Sequence, residues 1–414
     1  MEVGIDDMSV YVPELYVDML NDFAEERDIA PGKLEHGIGI EEMSVPDVDE
    51  DAATMAAEAV FKLMKRNIMD PSELSLILVG TETGLDESKN LGGYIIGMLE
   101  QYYGKHTFEH VGSVEYKTAC AGATYAFLDA VNWVTLKGGK AIVVSTDVAK
   151  YPMNTPGEYT QGAGAVATLV TTTPRIAWLE PWTGFCTRDV DDFFRPIGHE
   201  TAQVRGKFSI ECYLEAMDVA VRNYFKAAMP FAWEKYAPGE DFFDGIDAMV
   251  FHIPFTKMAT KVAARVFRHY WGNKEDIADF IKSAAFQEVF EKKVEPSLKF
   301  GRRVGNIYTG SIWLGLYSFL SHAVMNRTLW VNNRIGMGSY GSGLTAVAFS
   351  LRLSGNPRKY HLDSPFGQRH KITMDEYEGI RSGEVKKSRG VWKKRNFFLD
   401  NVDERGYRHY GMKK

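Results

Sequence analysis

The sequence predicts an α/β fold, in which short buried strands alternate with helices. Apolar runs such as SLILVG at 75–80 and AIVVS at 141–145 have the length and composition of buried strands. Between such runs lie stretches with helical spacing of apolar residues, among them the alanine-rich 51–66. This alternation is typical of layered α/β proteins.

Composition excludes several classes of protein. The chain has 414 residues, 45% hydrophobic and 25% charged, which is the balance of a globular protein with a sizeable core. A net charge of -7 argues against a general binder of nucleic acid or of anionic membranes. Three cysteines without paired spacing indicate neither a disulfide framework nor a zinc site. No apolar run approaches the ~20 residues that a transmembrane helix needs, so we expect a cytoplasmic protein.

The first half, expected to span 1–170, contains seven predicted elements. Helices are predicted over 51–66 and 90–104, and strands over 75–80 and 113–119. A further helix starts near Cys120 and ends at Lys137-Gly138-Gly139. Strands at 141–145 and 165–170 complete this half.

The second half, 171–414, repeats this alternation of strands and helices. Helices are predicted over 209–229, 255–271 and 310–324, and strands over 248–252, 334–339 and 345–353. Residues 184–208, which have no clear period, and 272–303, which are charged and helical, are interpreted as insertions. The charged tail from about 356 keeps many aromatic residues, so we expect it to pack.

Cys120 is the first candidate for chemistry. It lies where a strand ends and an alanine- and glycine-rich helix begins. The positive end of a helix dipole stabilises a thiolate, so we expect a lowered pKa and a competent nucleophile. A small buried thiol at a strand–helix junction is the alternative interpretation.

Glu82 is the second candidate, because it closely follows the buried strand 75–80. Ligands of open α/β sheets bind at the carboxyl ends of strands. A partly desolvated carboxylate there has a raised pKa and suits general acid–base catalysis. A helix cap or an ion-pair partner is the alternative.

His252 ends a predicted strand in the phrase FHIPFTKM, just before a proline and a helix. A lone histidine in such a position is often a core residue. Lys257 and Lys261 follow it at a spacing that puts both on one helix face. Two lysines there could meet a phosphate or an acyl carbonyl; a solvated helix face is the alternative.

Two further phrases carry polar groups among apolar neighbours. Asn306, in VGNIYTGS, precedes a buried helix, and its amide can orient a thioester carbonyl or cap a turn. GMGSYGSG at 336–343 lacks the pattern of a Walker or dinucleotide loop. We interpret it as the wall of an active site, with Ser339 and Tyr340 available for contact.

Seven phrases in order resemble the hydroxymethylglutaryl-CoA synthase family. They are GTETGLDESK around Glu82, TACAGAT around Cys120, QGAGAVA at 161–167, DDFFRP at 191–196, FHIPFTKM around His252, VGNIYTGS around Asn306 and GSYGSG at 338–343. No single phrase is specific, whereas the ordered set covers nearly the whole chain.

The resemblance implies a thiolase-like fold, with two similar halves stacked in αβαβα layers. It implies that Cys120 takes the acetyl group of acetyl-CoA and that Glu82 serves as general base and then as general acid. His252 and Asn306 would hold acetoacetyl-CoA, and water would release the product. Further positions match residues that contact substrate or CoA: Tyr151, Thr160, Ser209, Ser339, Lys257 and Lys261.

The resemblance also bears on partners. It implies that CoA thioesters are substrates, that no metal or separate cofactor takes part, and that the chain forms a homodimer. A complex with an acetoacetyl-CoA thiolase is a further expectation. The expected pathway is the mevalonate route to isoprenoids.

Two departures from the family pattern bear on the pocket. The residue after the cysteine is often aromatic in the family, where this chain has Ala121, and an acidic-aromatic pair often follows the glycine phrase, where 345–349 reads TAVAF. Two other functions stay open: a carrier-protein-dependent β-branching synthase of polyketide assembly, and a non-catalytic scaffold that binds CoA thioesters. A ketoacyl synthase of the fatty-acid type is disfavoured, because it lacks a strand-end glutamate such as Glu82.

Overall fold

The computed structural model describes residues 2–232, 245–328, 330–355, 360–388 and 395–413. Its strands are β1 (Gly4–Tyr11), β2 (Leu15–Asp18), β3 (Glu42–Val45), β4 (Leu74–Gly80), β5 (Gly112–Tyr116), β6 (Lys140–Val148), β7 (Ala163–Thr171), β8 (Ala177–Thr187), β9 (Phe193–Phe194), β10 (Gln203–Val204), β11 (Ala248–Phe251), β12 (Arg334–Gly341), β13 (Thr345–Leu353), β14 (His370–Lys371), β15 (Phe397–Val402) and β16 (Arg408–Met412). Its α-helices are α1 (Ala24–Glu26), α2 (Ala52–Arg66), α3 (Leu91–Tyr103), α4 (Gly122–Lys137), α5 (Gly206–Ala232), α6 (Lys257–Tyr270), α7 (Ile277–Lys282), α8 (Ala284–Lys293), α9 (Gly301–Val304), α10 (Ser311–Asn326) and α11 (Met374–Ser382).

A nine-stranded sheet forms the frame, in the order β11-β12-β13-β8-β1-β7-β6-β4-β5. In the first half β5, β4 and β6 run parallel, and β7 and β1 follow antiparallel. In the second half β11 and β12 run parallel, and β13 and β8 follow antiparallel. The two halves therefore repeat one pattern outward from the β1–β8 contact, in agreement with the thiolase-like prediction.

Helices α4 and α10 form the central layer. Their side chains share one core cluster with strands of both halves, and the rings of Phe127 and Trp313 lie 5.0 Å apart between centroids. In β4, Leu76 and Leu78 face this layer, whereas Ile77 and Val79 pack with the outer helices α2 and α3. Burial on both faces explains why β4 is a continuous apolar run.

The structure corrects the start of the first stretch that was interpreted as an insertion. Residues 184–187 belong to β8, a central strand of the sheet, and the rest of the stretch includes the β9–β10 hairpin. Residues 272–303 are helical as predicted, with α7, α8 and the start of α9, and they bury Phe280, Phe286 and Phe290 in the core of the second half. Their interpretation as an insertion stays a prediction. The domain boundary at 170/171 stays a prediction.

The tail packs, as expected from its aromatic residues. Tyr360, Tyr377 and Phe397 are buried, and β15 and β16 contact α2 and α3. Among the described residues, no helix combines the length and the apolar character needed to cross a membrane.

Candidate active site

The carboxyl ends of β4 and β6 place Glu82 beside Asp147. These strands are parallel neighbours, so the residues that follow β4 meet the end of β6. The Asp147 carboxylate, which is fully buried, accepts the Glu82 backbone N–H at 2.7 Å and the Thr83 hydroxyl at 2.8 Å. On its other oxygen it accepts the Thr309 N–H at 3.0 Å and the Thr309 hydroxyl at 2.6 Å. Asp147 thus ties the Glu82 loop to the second half of the chain.

Cys120 lies in the turn before α4, within reach of Glu82. Its Sγ donates to Oε1 of Glu82 at 2.7 Å. The preceding Ala119 has a φ of 45°, in the left-handed region that side chains other than glycine rarely adopt. The turn therefore directs the Cys120 thiol at the Glu82 carboxylate.

Burial dominates the electrostatics of this pair. Burial raises the pKa of Glu82 to about 8, and the charge of Asp147 adds to the rise, while the Cys120 thiol and Arg195 act in the opposite direction. Burial, followed by the Glu82 charge, raises the pKa of Cys120 well above its usual range. The expectation of a lowered pKa for Cys120 is wrong, because desolvation and a neighbouring carboxylate outweigh the helix dipole. The thiol keeps its proton until Glu82 accepts it.

Two tyrosines, Tyr151 and Tyr308, pack next to the Cys120 thiol and form the tyrosine wall of the site. The Tyr151 side chain packs in one buried cluster with Cys120 and Tyr308. The Tyr151 and Tyr308 rings meet edge to face at 6.1 Å, and Phe193 packs on both. Burial raises the pKa of both phenols, so each is a neutral hydrogen-bond donor. Sequence reasoning missed Tyr308, although it stands two residues after Asn306.

Asn306 has the capping role that the sequence left open, whereas its expected contact with a thioester carbonyl stays a prediction. Its Oδ1 caps the following turn, accepting the Tyr308 N–H and the Ser311 hydroxyl at 2.9 Å each. Its backbone N–H donates to the carbonyl of Thr160 at 2.8 Å. Asn306 also forms a backbone bridge with Gln161, whose side chain accepts the Tyr151 N–H, so Asn306 lies beside the segment that carries Tyr151.

His252 enters from the second half. Its backbone N–H donates to the Gly338 carbonyl at 2.7 Å, and its carbonyl accepts the Tyr213 hydroxyl at 2.8 Å. The side chain is 2% exposed, and burial lowers the pKa of His252 to about 3. Nδ1 has no hydrogen-bond partner among the described residues. The ring is therefore a neutral imidazole with a nitrogen free to meet a ligand.

The end of β12 connects the loop of His252 to the first half. Ser339 accepts a hydrogen bond from Thr124 of α4 at 2.8 Å. A Cβ on Gly341 would lie 3.0 Å from the Ala121 nitrogen, next to the candidate nucleophile. The same strand end therefore borders both His252 and the cysteine turn, although the two side chains come from different halves.

Ser209 and Tyr340 contact a residue that sequence reasoning missed. Their hydroxyls donate to Oδ2 of the buried Asp192 at 3.0 and 2.8 Å. The Gly343 N–H donates to its other oxygen at 2.9 Å. Asp192 thereby anchors the start of the β9–β10 hairpin to the glycine phrase. The substrate contacts expected of Ser209, Ser339 and Tyr340 stay predictions.

A narrow cleft beside Asn306 is lined by Thr160, Phe255 and Thr256, among others. Lys257 begins α6 and is exposed, and the Nζ of Lys261 lies 5.9 Å from the centroid of the Phe255 ring. Neither lysine forms an ion pair with an acid of the described chain. The lysines can thus meet an anion near the cleft. Within the described ranges, no group of three His, Cys, Asp or Glu side chains is placed to hold a metal ion.

Family models match both halves of the chain. The hydroxymethylglutaryl-coenzyme A synthase N-terminal model matches residues 1–174, and the C-terminal model matches 183–281 and 271–413. The hydroxymethylglutaryl-CoA synthase of Enterococcus faecalis is 37% identical over 386 residues, covering 92% of this chain and 91% of that protein. The enzyme of Haloferax volcanii is 32% identical, covering 91% of each.

Solved structures agree with this similarity. MvaS in complex with 3-hydroxy-3-methylglutaryl coenzyme A is similar at a TM-score of 0.87 and 32% identity, covering 100% of this chain and 99% of that one. An HMG-CoA synthase complexed with CoA is similar at a TM-score of 0.83 and 29% identity, over 100% of both chains. The curacin pathway HMG synthase, at 23% identity and a TM-score of 0.83 over 100% of both chains, shows the shared fold alone.

Proposed function

The chain belongs to the hydroxymethylglutaryl-CoA synthase family, and from this premise we propose how its residues perform that reaction. The enzyme is an acyltransferase that condenses acetyl-CoA with acetoacetyl-CoA to 3-hydroxy-3-methylglutaryl-CoA, an activity that fits the mevalonate pathway. The contact between Cys120 Sγ and Glu82 Oε1 at 2.7 Å supports the assignment of residues most directly.

In the first step Cys120 attacks the thioester carbonyl of acetyl-CoA. Its proton passes to Glu82, the only carboxylate among the described residues that its thiol contacts by a hydrogen bond. The bond between carbonyl carbon and CoA sulfur breaks, and the CoA thiolate takes the proton from Glu82. Acetyl-Cys120 and free CoA result, and Glu82 is again a carboxylate, ready for the next step.

In the second step Glu82 removes a proton from the acetyl methyl group. The carbanion attacks the C3 carbonyl of acetoacetyl-CoA, and the alkoxide that forms takes the proton back from Glu82. A pKa near 8 suits both transfers, because the group then exchanges a proton readily at neutral pH. The phenols of Tyr151 and Tyr308, neutral and buried, can donate to oxygens that gain negative charge.

His252 holds the second substrate. With its pKa near 3, it stays neutral and orients acetoacetyl-CoA by hydrogen bonding, so it does not act as a cation. Lys257 and Lys261 stand on the helix that follows and can pair with CoA phosphates. Water finally hydrolyses the thioester to Cys120, which releases the product with a free carboxylate.

Incubation with acetyl-CoA followed by peptide mass spectrometry tests this assignment. We expect one added acetyl group on the peptide that carries Cys120 and none in Cys120→Ser. Cys212→Ser is the matched control, since both thiols are 7% exposed. Acetylation that persists in Cys120→Ser would disprove the nucleophile, and an unlabelled wild-type protein that still binds CoA would favour the scaffold function.

Glu82→Ala separates the two halves of the reaction. We expect acetylation to continue at a reduced rate, because solvent can accept the thiol proton slowly, whereas condensation is lost. Acetyl-enzyme and product are followed in one rapid-quench series. Condensation at the wild-type rate would rule out Glu82 as the base.

A comparison of acetyl donors tests the β-branching alternative. Equal acetylation of Cys120 by an acetylated carrier protein and by acetyl-CoA would favour that alternative.

A homodimer is the oligomer that we propose. Strand β5 is the edge of the sheet, Val114 on it is 49% exposed, and Trp133 and Leu136 of α4 are 43% and 80% exposed. An unpaired edge strand beside exposed apolar side chains is a surface that association with a second copy would cover. Light scattering should show a dimer that Trp133→Glu dissociates, whereas Ile68→Glu, at an exposed position after α2 and outside β5 and α4, leaves the dimer intact. A wild-type protein that is monomeric in solution would refute the proposed homodimer. The thiolase complex and the cytoplasmic location stay predictions.

A further inference from the structure

The backbone of Tyr151 lies in a segment without regular structure. Residues 149–157 connect β6 to a short helical turn before β7 and belong to no strand or α-helix. Buried backbone N–H and C=O groups need partners, and here no strand ladder supplies them. Whatever bonds these two groups also fixes the position of the phenol in the active site.

Helix α11 is connected by hydrogen bonds to both backbone groups of Tyr151, directly to the carbonyl and through Gln161 to the N–H. Nη2 of Arg381 donates to the Tyr151 carbonyl at 2.9 Å. The Tyr151 N–H donates to Oε1 of Gln161 at 2.7 Å, and Nε2 of Gln161 donates to the Tyr377 hydroxyl at 2.8 Å. Both groups are therefore connected to the same helix, 226 and more residues further along the sequence.

A buried ion pair between Arg27 and Glu158 lies at the other end of this series of hydrogen bonds. The Tyr377 hydroxyl donates to Oε1 of Glu158 at 3.1 Å. Glu158 is fully buried and accepts Nε and Nη2 of Arg27 at 3.2 and 3.0 Å, and the Asn154 N–H at 2.7 Å. In a low-dielectric interior, such connected hydrogen bonds hold one geometry strongly.

We propose that Tyr377 and Arg381 are positioning residues that hold the Tyr151 phenol against Cys120. The inference rests on the proposed function, in which that phenol donates a hydrogen bond during the reaction. The backbone of Gln161 also pairs with Asn306, so the same series of hydrogen bonds supports Asn306 as well. The C-terminal helix thus acts on the chemistry without contacting the substrate.

A double-mutant cycle in the full-length protein tests the proposal. Tyr377→Phe keeps the ring and removes the hydroxyl, and we expect kcat to fall about tenfold or more with KM for both substrates little changed. In a Tyr151→Phe background the same substitution should have an effect of about twofold or less, because the residue that it positions is already altered. Arg381→Met should behave likewise, and Arg381→Lys should restore part of kcat, since an ammonium can still donate to the carbonyl.

Tyr360→Phe is the matched control. Tyr360 is a buried tyrosine of the same C-terminal region whose hydroxyl donates to the carbonyls of Ile176 and Gly355, outside the active site. We expect unchanged kcat there with a comparable fall in Tm. Equal losses of kcat from Tyr377→Phe in both backgrounds, or a fall in Tm alone for both Tyr377→Phe and Arg381→Met, would overturn the positioning role. A Tyr151→Phe variant with wild-type kcat would instead remove Tyr151 from the proposed function.

Discussion

Replacing Glu82 by glutamine removes a charge that the fold buries at high pH. Its folded pKa, about 8, lies above the ordinary 4.5, so the protonated form is the one that the site favours. In the wild-type protein, the Glu82 carboxylate therefore lowers the free energy of unfolding. This cost is nearly absent below pH 4.5, grows as the pH rises, and levels off above pH 8. Each tenfold change in proton affinity is worth about 1.36 kcal/mol, so the full cost is at most about 5 kcal/mol. Glutamine keeps an oxygen that can accept the Cys120 thiol and carries no charge.

Urea denaturation at pH 5 and at pH 9 measures this cost. The free energy of unfolding of Glu82→Gln minus that of wild type should be below about 1 kcal/mol at pH 5 and reach about 3 to 5 kcal/mol at pH 9. Glu87→Gln, in the same loop but exposed, is the matched control and should show no such trend. A difference for Glu82→Gln that does not change with pH would refute the reasoning, because it would mean that the carboxyl titrates alike in both states.

Asp147→Asn turns an amide toward the Thr309 N–H, so we expect a loss of about 1 to 3 kcal/mol in unfolding free energy together with slower condensation; unchanged stability would contradict the role of this carboxylate as an anchor. His252→Gln should still acetylate but condense about 100-fold more slowly, as measured by rapid quench. Since the pKa of His252 is about 3, the wild-type rate between about pH 5 and pH 9 should show no step from this ring; a step near pH 6.5 that His252→Gln abolishes would contradict it. Gly341→Ala places a Cβ 2.2 Å from the Thr118 carbonyl, so acetylation and Tm should both fall; Gly206→Ala, in open space, is the control, and equal behaviour of the two would refute the close approach.

Local pattern was enough to predict most of the central elements. The continuous apolar run of β4, the cysteine at the start of α4 and the glutamate after β4 depend on neighbours in sequence, and each lies where it was predicted. The strands β1 and β8 were missed, because their alternation is interrupted by polar residues such as Asp7 and Glu180. Both of these are buried with arginine partners that the sequence does not identify.

The electrostatic state of the site was decided by tertiary structure alone. Asp147 meets Thr309 from 162 residues away, and Gln161 meets Tyr377 from 216 residues away, so no local spacing could reveal either contact. The sequence by itself determined which strand ends carry the sulfur and the carboxylate. Burial and the distance between the two groups exist only in the folded chain, and they reversed the expected pKa shift of Cys120 because desolvation depends on everything packed around the thiol.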